Sequence, residues 1–276
     1  MSISDHRKPL PQNLNLDELL RMAIELKNPH SVLAAIQTRP LDVIDIQVAT
    51  DAPSPAWAEV IGVAKANAIR IIRGGRSPSR DRRGGDKEGR ETGMSANVRE
   101  RADVSLEELF TDAATRANGR GLWLALDNLQ DTHNVGAIFR SAAFFGVQGI
   151  VVTRDRSAPL NGTVYDVAAG GVEHVPFTLV PNLARAVAVA KESGLWVLGT
   201  SEHATDDVSQ VDRGRPWLLI VGNEEKGMRR LTTEHCDSVC RITPRGEVTS
   251  LNVSVATAIL IAALVVPPLM GASSTR

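Results

Sequence analysis

Four short apolar runs, separated by segments with helical patterning, constrain the fold of this chain more than any other feature. They are Leu122–Leu126 (LWLAL), Gly149–Thr153 (GIVVT), Leu195–Gly199 (LWVLG) and Trp217–Val221 (WLLIV). Strands that are apolar throughout and alternate with helices are typical of a parallel sheet buried on both faces. From Gly121 onward the sequence therefore predicts an α/β domain, with a mostly parallel sheet and helices on both faces.

The remaining elements of this domain follow from periodicity and from Gly, Pro and polar breakers. Further strands are predicted at Phe177–Leu179 and Ser238–Ile242. Asn134–Gly146 is predicted to be a loop that enters a helix, and further helices are predicted at Val164–Gly171, Leu183–Ser193, Arg230–Cys236 and Leu251–Val266.

The first hundred residues predict a smaller α/β unit. Apolar residues at helical spacing predict a helix over Leu14–Leu26, and a second helix over Val104–Ala117 leads into the larger domain. Between them we predict helices at Pro29–Ile36 and Pro53–Ala64, and extended segments at Val43–Val48, Ala68–Ile72 and Met94–Val98. The predicted organisation is an N-terminal extension (1–27), a small α/β domain (28–102) and a larger domain (103–276).

The segment 73–92 interrupts the small domain. Arg73–Arg90 holds seven Arg or Lys residues, three Asp or Glu residues and five glycines, without Leu, Ile, Val or aromatic residues. Such a segment cannot bury apolar surface, so it predicts a flexible loop. A plain solvated linker and an arm that contacts RNA phosphates fit this composition about equally well.

Composition excludes several classes of protein. A net charge of −1 gives no global signature of nucleic-acid binding, and 43% hydrophobic residues are enough for a substantial core. The apolar run Val253–Val266 is shorter than the roughly 20 residues of a membrane span, and no apolar signal-peptide core occurs near Met1. We therefore predict a cytoplasmic protein without membrane contact.

The sequence contains two cysteines, Cys236 and Cys240. Their i, i+4 spacing predicts that both lie on one face of a helix, as buried free thiols. Because the chain has no second cysteine pair, no structural metal site is expected.

Three polar loops follow predicted strands, and ligands of open α/β sheets bind at the carboxyl ends of strands. The first loop contains Asn134, and Arg140 follows about a turn and a half into the next helix. The second is Gly222–Gly227 (GNEEKG), which contains Glu224. The third, around Ser250 and Asn252, delivers the chain to the N-terminus of an apolar helix. Taken singly, these features also fit a surface ion pair, a solvated turn and an ordinary capped core helix.

Several common sites are missing from the sequence. No GxGxxG motif follows the first strand of the larger domain, and no GxxxxGK[ST] or GxSxG motif occurs. His133 has no Ser or Cys partner that the sequence identifies. Dinucleotide-binding, P-loop and hydrolase functions are therefore disfavoured.

Three segments together resemble the motifs of one family. DTHNVGAIFRSAAFFG, VGNEEKGMRRL and SLNVSVA are similar to the three motifs of the SpoU family of S-adenosylmethionine-dependent RNA ribose 2′-O-methyltransferases, and the resemblance covers Leu122 to about Val266. The stretches TRDRSAPLN, LTTEHCD and VTSLNVSVAT resemble the subgroup that methylates a guanosine in large-subunit ribosomal RNA. In that subgroup a small α/β RNA-binding domain comes first. Asn223 departs from the small residue that many members carry there.

The resemblance implies a site, a cofactor and partners. Arg140 is implied to activate the ribose hydroxyl, although a guanidinium suits electrostatic stabilisation better than proton removal. Asn134, Glu224, Ser250 and Asn252 are implied to support it. The backbone and apolar groups of Thr200, Gly222, Ile242 and Leu251 are implied to hold S-adenosylmethionine. A C-terminal trefoil knot and a homodimer are implied as well.

Alternative functions remain open from the sequence alone. The chain is predicted to methylate a guanosine of ribosomal RNA, but transfer-RNA methylases share the same motifs. A non-catalytic RNA-binding protein with the same fold would fail to bind S-adenosylmethionine. A nicotinamide-dependent oxidoreductase would change absorbance with its cofactor.

Overall fold

The structure, a computed structural model, describes residues 23–49, 52–74, 93–223 and 227–266. Contacts between Cα atoms divide the chain into two units, Met1–Ala102 and Asp103–Arg276. Three predictions concern residues outside the described ranges: the extension through residue 22, the Arg/Gly-rich segment from residue 75 to 92, and Glu224. The N-terminal extension, the loop and the Glu224 side chain stay predictions.

The first unit contains a four-stranded mixed sheet and two helices. Its elements are β1 (Ala23–Leu26), α1 (Pro29–Thr38), β2 (Val43–Val48), α2 (Pro55–Ala66), β3 (Arg70–Arg73) and β4 (Met94–Arg99). The strand order is β1-β4-β2-β3, in which β4 is antiparallel to both neighbours and β2 is parallel to β3. Each helix begins with a polar N-cap, Asn28 or Ser54, followed by a proline that suits the first helical position.

The predicted helix Leu14–Leu26 is wrong over its described part, because Ala23–Leu26 forms strand β1. In this strand Ile24 and Leu26 are buried and alternate with the exposed Glu25, and all four residues pair with β4. The apolar spacing in AIEL fits a period of two as well as a helical one. Pairing with β4 selects the strand.

The second unit contains a seven-stranded sheet in which every neighbouring pair is parallel, with the order β7-β6-β5-β10-β8-β11-β9. Its strands are β5 (Leu122–Leu126), β6 (Gly149–Thr153), β7 (Phe177–Val180), β8 (Trp196–Thr200), β9 (Asp206–Asp207), β10 (Trp217–Val221) and β11 (Ser238–Arg241). Its helices are α3 (Leu106–Leu109), α4 (Thr132–Phe145), α5 (Gly162–Ala168), α6 (Gly171–His174), α7 (Leu183–Glu192), α8 (Arg230–Glu234) and α9 (Val253–Val265). The predicted fold class is confirmed, whereas the knot stays a prediction.

Both faces of this sheet are buried. On one face Trp123 and Ile220 belong to a cluster that α3 and α7 cover with side chains such as Leu109 and Leu183. On the other face α4 covers the sheet, where the ring of Phe139 packs edge-on against Phe177 of β7 with centroids 5.8 Å apart. Two-sided burial accounts for the apolar composition of β5, β6 and β10.

The predicted helix Val104–Ala117 is also wrong, since it is helical only at Leu106–Leu109. The Leu109 carbonyl accepts a hydrogen bond from the Trp123 indole nitrogen (3.1 Å), and the Ala113 amide donates to Phe110 instead. A single turn at Arg116–Gly119 follows, with positive φ at Ala117 and Asn118. Tertiary contacts of the apolar residues thus replace a continuous helix with short turns.

Two smaller predictions also need correction. Cys236 follows α8 and Cys240 lies in β11, so the two free thiols do not share a helix face. The helix ends there because the Asp237 amide donates to the Val197 carbonyl and starts the pairing of β11 with the sheet. The predicted helix Val164–Gly171 is divided at Ala169, which has positive φ.

None of the helices in the described parts of the chain is long and apolar enough to cross a membrane.

Candidate active site

The candidate site lies where the direction of the chain through the large sheet reverses. From β5 the chain proceeds to β6 and β7 on one side, and it later fills the positions β10, β8, β11 and β9 on the other. The carboxyl ends of β5 and β10 are therefore neighbours at a topological switch point. Ligands of open α/β sheets bind at such points.

The segments that follow β5 and β10 are joined by backbone contacts. The Asp127 amide donates to the Val221 carbonyl (2.9 Å), which extends the pairing of the strands by one residue. Beyond it, Asn223 and Gly227 exchange two backbone hydrogen bonds of 3.1 and 2.9 Å. These bonds hold the two described ends of the turn after β10, Asn223 and Gly227, together.

Gly222 is required by this turn. A Cβ atom at Gly222 would lie 2.3 Å from the carbonyl carbon of Gly227 and 2.3 Å from the amide nitrogen of Met228. Both atoms belong to the backbone, so a larger residue would displace the loop.

Asn134 and Asn252 lie in direct contact. The Asn252 Nδ2 atom donates to the Asn134 Oδ1 atom at 3.0 Å, across 118 positions of sequence. Asn134 is 8% exposed and lies in the first turn of α4, whose N-cap is Asp131. The expectation that Asn134 precedes its helix is therefore wrong, because Asp131 rather than Asn134 caps the helix.

Asn252 also caps α9. Its Oδ1 atom accepts from the amides of Ser254 (2.9 Å) and Val255 (3.4 Å), and from the Ser254 hydroxyl (2.6 Å). The predicted arrangement of polar groups at the start of the apolar C-terminal helix is thus confirmed for Asn252. Ser250 is exposed and makes no hydrogen bond with another residue in the described ranges, and its implied role at the site stays a prediction.

Arg140 is exposed on α4, six residues or about 9 Å of helix axis beyond Asn134. Within the described ranges, its guanidinium group makes no hydrogen bond or ion pair. The simple alternative of a surface ion pair is thus not observed for Arg140. The side chain is available for an anionic ligand at the edge of the site.

Three of the four predicted cofactor residues lie at the same edge of the sheet. Thr200 ends β8, Gly222 follows β10 and Ile242 follows β11, so they occupy three neighbouring strand ends. The Thr200 hydroxyl donates to the Ile220 carbonyl (3.0 Å). Leu251, immediately before the Asn252 cap, is 52% exposed.

One charged pair at this edge was missed in the sequence. The Asp127 carboxylate is 1% exposed and accepts from Arg229 Nη2 (2.6 Å), Arg229 Nε (3.1 Å) and the Thr232 hydroxyl (3.1 Å). The only signal available in the sequence is a carboxylate directly after an apolar strand. Its partners lie 102 and 105 positions away.

A second carboxylate organises the loops beyond β8 and β11. Asp207 accepts hydrogen bonds from Ser209 and from the Thr243 amide, which lower the pKa of its carboxyl group below the usual range. Thr243 directly follows Ile242. Asp207 therefore joins the chain before β10 to the segment that carries one of the predicted cofactor residues.

The two thiols near these strands stay protonated. Burial raises the pKa of Cys236 to about 11 and that of Cys240 to about 12. Among the residues that the structure describes, no three His, Cys, Asp or Glu side chains form a group that could hold a metal ion.

Comparison with protein families gives one match that covers half of the chain. The family described as "SpoU rRNA Methylase family" matches residues 121–262, which include all three segments described above. Similar curated proteins extend the likeness toward the N-terminus. The 23S rRNA (guanosine-2′-O-)-methyltransferase RlmB of Pseudomonas aeruginosa is 39% identical over 232 residues, which are 83% of this chain and 91% of that protein. The protein of the same name from Nitrosomonas europaea is 36% identical over 231 residues, with coverage of 83% and 86%.

Solved structures share the fold. The SpoU methyltransferase AviRb of Streptomyces viridochromogenes, in complex with the cofactor AdoMet, has a TM-score of 0.70 and 22% identity, with 91% of this chain and 92% of that chain covered. An AdoMet-bound rRNA methyltransferase of Sinorhizobium meliloti has a TM-score of 0.66 and 17% identity, with coverage of 88% and 87%.

Proposed function

The chain belongs to the SpoU rRNA Methylase family, and from that premise we propose that it transfers a methyl group from S-adenosylmethionine to a ribose 2′-hydroxyl of RNA. The proposed substrate is a guanosine of large-subunit ribosomal RNA, in line with the activity named for the relatives that cover most of the chain. One contact carries the proposal. The 3.0 Å hydrogen bond from Asn252 to Asn134 joins the first and third motifs beside the switch point, on the helix that presents Arg140.

The residues at the strand ends fit the methyl donor. Gly222 permits close approach of backbone to backbone, and the half-buried Ile242 and exposed Leu251 offer apolar surface to an adenine ring. Thr200, with its hydroxyl bound to Ile220, offers its backbone. S-adenosylmethionine supplies an activated methyl group that a hydroxyl oxygen can attack directly. The protein has to align the 2′-oxygen with that group and ease the loss of its proton.

Arg140 is proposed to act at the 2′-oxygen. Because an arginine keeps its charge across the working pH range, we assign it the stabilisation of negative charge on the oxygen and on the adjacent phosphate. Asn134 and Asn252 fix the N-terminal turn of α4, and so set the position from which Arg140 projects. Ser250 is proposed to contact the RNA or the donor, since it is exposed beside Asn252. Glu224 is proposed to hold the loop of the second motif and the ligand.

The first unit is proposed to bind RNA. Its edge strand β3 begins and ends with the exposed residues Arg70 and Arg73, immediately before the Arg/Gly-rich segment. Phosphate contacts of this kind contribute affinity without reading sequence. We assign the selection of the target nucleotide to this unit, which lies outside the residues 121–262 that match the family.

A homodimer is proposed through α4 and α9, which pack against each other. Both helices expose apolar side chains, namely Phe144 (82% exposed), Val255 (48%) and Ile259 (40%). Large apolar side chains exposed on two helices that pack together favour an interaction site. Arg140 lies one helical turn before Phe144, so a second copy on this surface would border the site. The cytoplasmic location predicted from the sequence stays a prediction.

The choice of RNA is tested by incubating the purified chain with labelled S-adenosylmethionine and, separately, unmodified large-subunit ribosomal RNA and unmodified transfer RNA. We expect label in ribosomal RNA only. Label in transfer RNA would retain the chemistry and overturn the proposed substrate. Label in neither RNA, together with no binding of the donor, would support the alternative of an RNA-binding protein without catalysis.

A further inference from the structure

The loop after β10 is attached at both ends to the two residues that follow β5. At its entry the Asn223 Nδ2 atom donates to the Asn128 carbonyl at 2.9 Å. At its exit Arg229 binds the Asp127 carboxylate through two nitrogens. Two consecutive residues, Asp127 and Asn128, therefore hold both ends of the turn that Gly222 begins.

These attachment points are themselves fixed. Asp127 is buried, and its second oxygen accepts from the Thr232 hydroxyl of α8 at 3.1 Å. The Asn128 amide donates to the hydroxyl of Thr153, the last residue of β6, at 3.0 Å. Asn128 adopts positive φ (60°), a conformation that asparagine tolerates better than most residues. The attachment thus joins the ends of three strands, β5, β6 and β10.

The pair at the exit has the geometry of a strong contact. A guanidinium group that binds one carboxylate with two nitrogens is held in both position and orientation. Because Asp127 is 1% exposed, loss of Arg229 would leave a buried carboxylate with the Thr232 hydroxyl but without its charged partner. The neighbouring Arg230 differs, since it is 84% exposed and pairs with Glu234 on the surface of α8.

We infer that Asp127 and Arg229 are positioning residues that hold the backbone of Gly222, Asn223 and Gly227 in the arrangement that receives the methyl donor, with Asn223 and Asn128 as the second attachment. The inference rests on the proposed function for the identity of that ligand. Neither residue of the pair touches the donor in this account. They act through Gly222 and the turn that Asn223 and Gly227 close.

Amide hydrogen exchange tests the pair in the free chain, without donor or RNA. The amides of Asn223 and Gly227 bond to each other's carbonyl groups and report on the shape of the turn. Arg229→Gln is expected to speed their exchange at least tenfold, whereas the matched control Arg230→Gln, with the same change of charge, leaves it at the wild-type rate. Equal exchange in both variants would overturn the inference.

Donor binding gives a second readout. We expect Arg229→Gln and Asp127→Asn each to raise the calorimetric Kd for S-adenosylmethionine about tenfold or more. The double variant should bind the donor no more weakly than the weaker-binding of the two single variants, because all three variants lose the same contact. KM for the donor should rise with little change in kcat, since the bound donor restores the loop. Additive losses, or a lower kcat at unchanged Kd, would overturn the inference.

A conservative variant covers the case in which Arg229→Gln does not fold. Arg229→Lys keeps the charge but loses the two-nitrogen contact, so its Kd and exchange rates should lie between those of wild type and Arg229→Gln. Wild-type values for Arg229→Lys in both measurements would contradict a role for the geometry of the pair. Failure of the wild-type chain to bind the donor would reject the proposed function, and the exchange rates would still decide the role of the pair.

Discussion

At the scale of single residues, Asn252 uses both ends of its side-chain amide. The oxygen caps α9 through Ser254 and Val255, and the nitrogen donates to Asn134 in the first turn of α4. An asparagine meets both needs. Its side-chain oxygen is the acceptor that a cap requires, and its nitrogen is the donor that the Asn134 oxygen requires. The two contacts can be separated by substitution.

Asn252→Asp should retain the cap and lose the donor to Asn134. We expect its stability to stay near that of the wild type, because Asp and Asn cap helices about equally well, while methyl transfer falls at least tenfold. Asn252→Ala should lose activity and also about 1 kcal/mol of stability. Denaturant unfolding and initial rates measure the two effects. Full activity in Asn252→Asp would contradict a role for the contact with Asn134.

Asp207 makes the stability of the folded chain depend on pH. Its pKa is lower in the folded chain than its ordinary value of 3.8, because Ser209 and Thr243 donate hydrogen bonds to the carboxylate. The stabilisation is therefore complete above that ordinary value, and it is lost progressively as the pH falls below it toward the folded pKa. As the pH drops below 4, we expect the unfolding free energy of Asp207→Asn to decrease less steeply than that of the wild type. An unchanged slope would contradict this assignment.

At the scale of elements, the turn after β10 depends on Gly222. Gly222→Ala places a methyl group against the backbone of Gly227 and Met228, so the loop has to move. We expect weaker binding of S-adenosylmethionine, by about tenfold, and a lower Tm. Gly246→Ala is the matched control, because a Cβ there meets nothing within 4 Å. Equal donor affinity in the two variants would show that the turn does not shape the site.

Six of the seven strands described in the large sheet were predictable from local pattern, whereas β9 was missed and two predicted helices were wrong. LWLAL and WLLIV are apolar throughout because both faces of β5 and β10 are buried, which leaves a signal in every residue. By contrast, the apolar residues of AIEL fit either period, and pairing with β4 decides between them. Likewise the Trp123 indole donates a hydrogen bond to the Leu109 carbonyl, and the sequence of residues 104–117 gives no indication of this contact.

The candidate site was predictable where its residues stand in local motifs. Asn134 and Asn252 were identified by resemblance, and they are in contact. Asp127 and Arg229 were missed, because a charged pair separated by 102 positions has no local signature and each residue alone resembles an ordinary surface charge. The local sequence does not show which strand ends are neighbours, because that depends on the order of the strands in the sheet.

At the scale of the whole molecule, the exposed apolar surface of α4 and α9 leads to a test of the proposed dimer. Ile259→Lys places a charge within that surface, and desolvating it against a second copy is costly. We expect sedimentation equilibrium to give a dimer for the wild type and a monomer for Ile259→Lys. Leu41→Lys is the matched control, because Leu41 is the one large apolar side chain exposed among the described residues of the first unit. A wild-type monomer at all concentrations would contradict the proposal.

The central claim, that this chain methylates a ribose 2′-oxygen with the help of Arg140, is tested most directly by mapping the product. Unmodified large-subunit ribosomal RNA would be incubated with S-adenosylmethionine and either the wild type or Arg140→Ala, then digested and sequenced by mass spectrometry. We expect one 2′-O-methylguanosine from the wild type and none from Arg140→Ala, with donor affinity and Tm unchanged because Arg140 is exposed. A methyl group on a base, or an active Arg140→Ala variant, would contradict the account.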